Sequence, residues 1–149
     1  TMSIIVSAAG PVSNLLMAAI GMLAFYILNE TNVLANAADG VYMALVHFFW
    51  YLITINLLLF VFNLIPLPPL DGYRIVSEFL PLRIRYKIEQ NIHWAMIIFL
   101  LFVFIPPLRA ITLTPILELQ VPLFFGLIDL FESIFKPINW VEIQMDFLK

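Results

Sequence analysis

Residues 63–72 read Asn63-Leu64-Ile65-Pro66-Leu67-Pro68-Pro69-Leu70-Asp71-Gly72, and they close a run, residues 40–70, that contains no Asp, Glu, Lys or Arg. Proline has no N–H to give to a helix and its ring collides with the carbonyl four residues back, so a helix over residues 41–64 is expected to stop before Pro66. Each residue ahead of a proline is also pushed out of the helical region, which makes residues 65–73 an extended or polyproline segment. A non-helical backbone is tolerated at membrane depth only where protein buries it or where it lines a wet cavity. An ionisable side chain at that depth is costly, and it marks a functional site by default. Asp71 is therefore the first candidate functional residue.

Working outward, the composition places the chain in a membrane. Its 149 residues are 63% hydrophobic and 11% charged, far from the soluble norm of about a quarter charged. Mean hydropathy is +1.03. Residues 2–28 and 91–108 are also free of charged side chains, and each gap is near or above the ~18 residues of a candidate spanning helix. The expected fold is an all-α membrane protein. It is a single membrane domain over residues 1–149, a helical bundle of about three to four membrane segments with a proline-broken helix end. Without cysteine there are no disulfides, thiolate metal sites or cysteine nucleophiles.

A first span is expected over residues 4–28, with Gly10-Pro11 near its beginning, where a proline costs little. Small residues are dense along it, from Ser7, Ala8, Ala9 and Gly10 to Gly21, so a neighbouring helix can approach closely and the span should be internal. Residues 74–90 hold Arg74, Arg83, Arg85 and Lys87, four of the seven basic residues. By the positive-inside rule this stretch is a cytoplasmic loop, which puts Asp71 near the cytoplasmic side of a multi-pass protein. Residues 92–117 are interrupted at Pro106-Pro107 and suit a kinked or re-entrant segment. Over residues 126–136 the apolar side chains share a face opposite Asp129, Glu132, Ser133 and Lys136, which suggests an interfacial amphipathic helix.

Taken alone, Asp71-Gly72 has three readings. It is a turn signature, with Gly72 supplying positive φ; a carboxylate oxygen ligand for zinc; or a proton or ion site in a transporter. Asn63-x-x-Pro66-x-Pro68-x-x-Asp71-Gly72 at the end of a hydrophobic span resembles the hallmark of the site-2 protease family of intramembrane zinc metallopeptidases. Ala9-Gly10-Pro11-Val12-Ser13-Asn14 in the preceding span resembles that family's Ala-Gly-Pro-x-x-Asn signature. The resemblance covers residues 4–90. It implies a three-span core in which Asp71 completes a His, His, Asp site for one zinc ion, with Asn14 facing the active site as a possible oxyanion or active-site amide. Gly10, Pro11, Asn63, Pro66, Pro68 and Gly72 then support the site, Asn63 by satisfying carbonyls that Pro66 frees.

The departure from that family is the missing His-Glu-x-x-His. His47 and His93 lie far apart, and neither has a second histidine four residues away on the same helical face. Both read as interfacial side chains, His47 beside Phe48 to Tyr51 and His93 beside Trp94. A zinc site therefore needs two histidines that this chain lacks. Thr1 as the opening residue suggests that a preceding span lies outside this polypeptide. An inactive relative is the less favoured explanation, since it would have little use for Asp71.

With that span supplied, the resemblance implies hydrolysis of peptide bonds within or near the membrane-spanning helices of substrate proteins. The expected partners are such a substrate helix and the lipid bilayer, and not nucleic acid. The sequence sets no oligomeric state. Over residues 66–70 only Leu67 and Leu70 have N–H groups to offer an unwound substrate strand. Two other functions compete: a catalytically inactive scaffold that binds client helices around Gly10 and Gly21, and a transporter fragment with Asp71 as its ion site.

Overall fold

A computed structural model describes residues 2–146 of the chain. Among the described residues the regular elements are all helices: α1 (Met2–Glu30), α2 (Asp39–Asn63), α3 (Asp71–Ser77), α4 (Leu82–Gln90), α5 (Ile92–Phe104), α6 (Pro106–Ile111), α7 (Leu113–Leu117), α8 (Gln120–Glu132) and α9 (Trp140–Asp146). Three stretches are long and apolar enough to cross a membrane: Ile4–Glu30, Asp39–Asn63 and Leu113–Glu132. The bent pair α4 and α5 makes a fourth if it is counted as one span.

The helices α1 and α2 form the central hairpin. Its turn is fixed by Asn32, which sits at φ 58°, and by the Asn36 side-chain amide, which donates to the Asn32 carbonyl at 2.8 Å. Asparagine tolerates that left-handed conformation because its short polar side chain bonds locally. Along α1 the buried residues Ser7, Pro11, Ala18, Gly21, Met22, Phe25 and Tyr26 recur at helical spacing and form one stripe. The other face, including Ile5, Leu16 and Ile20, is exposed. Within this chain the first span is thus packed on one side, because an all-apolar helix buries only the face its neighbours reach. Pro11 also lies deeper than expected: α1 begins at Met2, so the proline is inside the helix, fully buried.

Lipid tails are as apolar as leucine, so close fit and polar bonds hold such helices together more than the hydrophobic effect does. Gly21 shows the close fit. A Cβ there would stand 2.9 Å from Leu52 Cδ2 and 3.4 Å from Ile53 Cγ1 on α2. Polar bonds appear at the end of the bundle away from Asp71. There Trp140 Nε1 donates to the Tyr26 hydroxyl at 3.1 Å, and that hydroxyl donates to Glu132 Oε1 at 3.4 Å. Trp140 also packs its ring 5.3 Å from Phe25 and 5.4 Å from Phe124, so α9 closes this end.

The Asp71 end has its own smaller core of Ile65, Leu70, Phe99 and Leu113. It joins the end of α2 to α5 and α7, with the Phe62 and Phe99 rings 6.0 Å apart. The break expected at Pro106-Pro107 falls at Ile105, and the two prolines open α6, where missing N–H groups cost nothing. The expected segment 92–117 is therefore three short helices, and its last one, α7, runs on towards α8. The helix expected over 126–136 instead spans Gln120–Glu132, since the apolar run starts earlier and Pro122 falls in a first turn that tolerates it. It buries Phe124 and Ile128 against the hairpin, so it is a packed element of the bundle and not an amphipathic surface helix. The stretch 74–90 also differs from the expected loop, being largely α3 and α4.

Replacing Gly21 with leucine should therefore force α1 and α2 apart and lower stability by roughly 1–3 kcal/mol, measured by reversible unfolding in detergent. A variant as stable as the parent would show that the helices do not meet at Gly21.

Candidate functional site

The chain reverses sharply between α2 and α3, and the backbone does most of the work. The Phe62 carbonyl, which a helical residue 66 would have bonded, accepts from the Ile65 N–H at 3.2 Å. This meets the need that Asn63 was expected to serve. Beyond it the Leu67 N–H donates to the Ile65 carbonyl at 2.8 Å, and the Leu70 N–H to the Leu67 carbonyl at 2.9 Å around a cis Pro68–Pro69 peptide. Residues 65–70 are thus a compact pair of turns, and Asp71 already begins α3, where an extended segment was expected to reach residue 73. Leu67 and Leu70, the two donors expected to face a substrate strand, spend their N–H groups inside the turn.

Gly72 explains the compactness. A Cβ on it would overlap the backbone carbonyls of Leu64 and Ile65, so only glycine lets α3 start this close to the end of α2. No described glycine has positive φ, and the turn-glycine reading of Asp71-Gly72 is replaced by this steric one. Asp71 is half-buried, and its carboxylate points at α1: a Cβ on Gly10 would stand 2.7 Å from Asp71 Oδ2. The two sequence motifs, far apart in the chain, therefore meet through a missing side chain on one and a carboxylate on the other. Asn14 is half-buried one turn further along α1, on the side that Gly10 presents to Asp71. Pro11 and Pro68 are buried around the same junction, and Pro66 is exposed.

Beside this junction lies an open cavity of ≈ 600 Å³, bounded by Ser7 of α1, Pro68 and Pro69 of the turn, and Tyr73, Ser77, Arg85 and Glu89. The Tyr73 hydroxyl is buried without a hydrogen-bond partner. Burial and the nearby Glu89 carboxylate push its pKa up, so it stays a neutral phenol. Arg85 ties α4 to α3, donating from Nη1 to Glu78 at 3.2 Å and from Nε to Glu89 at 2.9 Å. Those two carboxylates hold its guanidinium pKa above the ordinary value. Glu78 and Glu89 thus belong to one network centred on Arg85. The i,i+4 spacing of Arg85 and Glu89 was the available signal. Tyr73 offered none, because its role depends on which face of α3 is covered.

The histidines lie on α2 and at the start of α5. His47 donates from Nδ1 to the Met43 carbonyl at 2.6 Å within α2, and His93 is exposed at the start of α5. No three His, Asp or Glu side chains among the described residues are grouped to hold a metal ion. Asp71 is one oxygen donor, and a catalytic zinc ion requires three protein ligands, so this chain alone does not fit the metal.

A model of peptidase family M50, the site-2 protease family, matches residues 2–105, a stretch that contains α1, the turn, Asp71 and the cavity. The chain belongs to this family. Among curated proteins it is 39% identical over 135 residues to the Bacillus subtilis (strain 168) protein named "Putative zinc metalloprotease YwhC". That alignment takes in 91% of this chain and 59% of the relative, so the chain spans about three-fifths of that protein's length. No solved structure matches it. Family membership agrees with what the residues show: an all-helical, membrane-associated M50 chain whose two signature stretches form one junction.

The glycines give a paired expectation. Gly72→Ala drives a methyl into backbone that cannot move aside and should cost roughly 1–3 kcal/mol of stability by unfolding in detergent. Gly10→Ala meets only the end of a carboxylate that can rotate, and should cost clearly less. Equal losses would contradict the geometry.

Proposed function

We propose that this chain is the portion of an intramembrane zinc metalloprotease that supplies the carboxylate ligand. The full-length protein would hydrolyse peptide bonds within or near membrane-spanning helices of its substrates. The observation that carries this reading is the approach of Asp71 Oδ2 to Gly10, which aims a carboxylate that has no ion pair among the described residues at the face of α1 that also bears Asn14. M50 membership and the relative's printed name as a zinc metalloprotease support the same chemistry.

In this reading Asp71 is one ligand of three, and two imidazoles come from residues outside this chain. Bound zinc would supply a Lewis acid and a water of lowered pKa. The chain's own residues have distinct tasks. Gly10 leaves the space that the Asp71 carboxylate needs. Gly72 and the 65–70 turn hold the start of α3 close to the end of α2, which keeps the Asp71 backbone beside α1. The amide of Asn14 would donate a hydrogen bond to the negative charge that develops on a scissile carbonyl oxygen. Trp140, Tyr26 and the surrounding rings close the far end of the bundle, so water and substrate reach the site from the Asp71 end or from the side. Arg74, Arg83, Arg85 and Lys87 all lie in α3 and α4 at the Asp71 end, which supports a cytoplasmic position for that end. The scaffold and transporter readings draw no support from the family match.

In the full-length protein Asp71→Ala should lower both bound zinc, measured by elemental analysis, and cleavage of a membrane-anchored substrate, the latter by at least about 10²-fold. Unchanged cleavage would sink the assignment. Asn14→Ala should keep the zinc content and slow cleavage by about 10²-fold through kcat. Loss of zinc in that variant would instead make Asn14 a structural residue.

A further inference from the structure

We propose that α4 carries a binding surface for anionic phospholipid, with Arg83 and Lys87 as the phosphate-contacting pair. The helix buries none of its residues, yet it is not loosely attached. Arg85 and Glu89 turn one side of it inward, where Arg85 reaches Glu78 at the end of α3. At 100° per residue, Arg83 and Lys87 stand on roughly the opposite side, one turn apart, and both are exposed. Neither takes part in an ion pair among the described residues. Two cations a turn apart, with their counter-charges on the far side of the helix, present a local positive stripe.

Apolar side chains frame that stripe. Leu82 is 81% exposed, Tyr86 63% and Ile84 47%, and Trp94, just past the junction with α5, is 66% exposed. Leaving such groups in water costs free energy, whereas at headgroup depth aliphatic and aromatic side chains insert and cations meet phosphates. The geometry matches that depth: α4 turns 73° out of the line of the apolar α5, as a helix does when it leaves the hydrocarbon and runs across its boundary. Each cation held near an anionic surface favours it by about fivefold, and the effect fades with salt over the Debye length. The stripe therefore selects charged over zwitterionic lipid. Through the Arg85–Glu78 contact, lipid held on the outer side of α4 braces the helix that begins with Asp71.

The inference rests on the membrane fold and not on proteolysis, and its test reads lipid contact alone. The full-length protein is reconstituted in phosphatidylcholine vesicles containing either phosphatidylglycerol or phosphatidylcholine brominated high on the acyl chains. The Trp94 signal is the difference in fluorescence between the protein and its Trp94→Phe variant. Brominated phosphatidylglycerol should quench it with at least about threefold preference over brominated phosphatidylcholine at low salt, less at high salt. Arg83→Gln/Lys87→Gln should bring the ratio to about one while quenching by phosphatidylcholine persists, and Lys136→Gln, at the opposite end of the bundle, should leave the ratio unchanged. Equal quenching by both lipids in the parent protein would overturn the charge selectivity. A Trp94 that neither lipid quenches would remove α4 from the bilayer and point to a protein or water covering it. A preference that survives the double substitution would assign it to other residues.

Discussion

The arrangement at the Asp71 end depends on close backbone approach at Gly72. With no Cβ on that residue, the first turn of α3 lies against the carbonyls of Leu64 and Ile65, and the chain reverses within a few residues of leaving α2. Every other placement at this end follows. The turn consumes its own N–H groups, Leu70 and Ile65 drop into a small core with Phe99 and Leu113, and Asp71 emerges facing α1. Gly10 completes the contact from the other side. Two absent side chains, one on each partner, set the carboxylate's position.

The rest of the molecule serves as a frame for that junction. Close packing between α1 and α2, visible at Gly21 against Leu52 and Ile53, keeps the helix bearing Gly10 and the helix leading to Asp71 in fixed register. Aromatic packing and the Trp140–Tyr26–Glu132 chain of hydrogen bonds seal the opposite end. The two ends thus have different characters. One is closed by packed rings; the other has serines, an unpartnered phenol and an arginine network around an open cavity. Such polarity in a membrane bundle is costly unless used, which agrees with chemistry at the Asp71 end.

Much of this was legible in the chain. Charge-free runs long enough to cross a bilayer make the all-helical membrane fold a near-direct consequence of composition: an uninterrupted apolar run of that length satisfies its backbone in lipid as a helix, whereas a barrel is built of shorter alternating strands. Pro66 stopped α2 where its missing N–H requires, and the two motif stretches around Gly10 and Asp71 were identifiable by residue type. The extended form of residues 65–73 was not correct. Proline limits φ but does not decide how the chain folds back, and Asp71 became helical once Gly72 allowed α3 to pack. The helix over 126–136 was misplaced for a related reason. Periodicity showed an apolar face, but only the hairpin beside it shows that Phe124 and Ile128 are what that face buries.

The sequence by itself determined the class of the protein, the approximate limits of α1 and α2 and the identity of the lone carboxylate among prolines. It also determined the absence from this chain of a His-Glu-x-x-His, since these follow from residue type and spacing alone. Only the tertiary structure decided that Asp71 faces Gly10, that Tyr73 and Arg85 border a cavity, and that Arg83 and Lys87 point away from the bundle. Those facts depend on which faces of α1, α3 and α4 touch, and distances between elements far apart in the chain are not written in any local pattern.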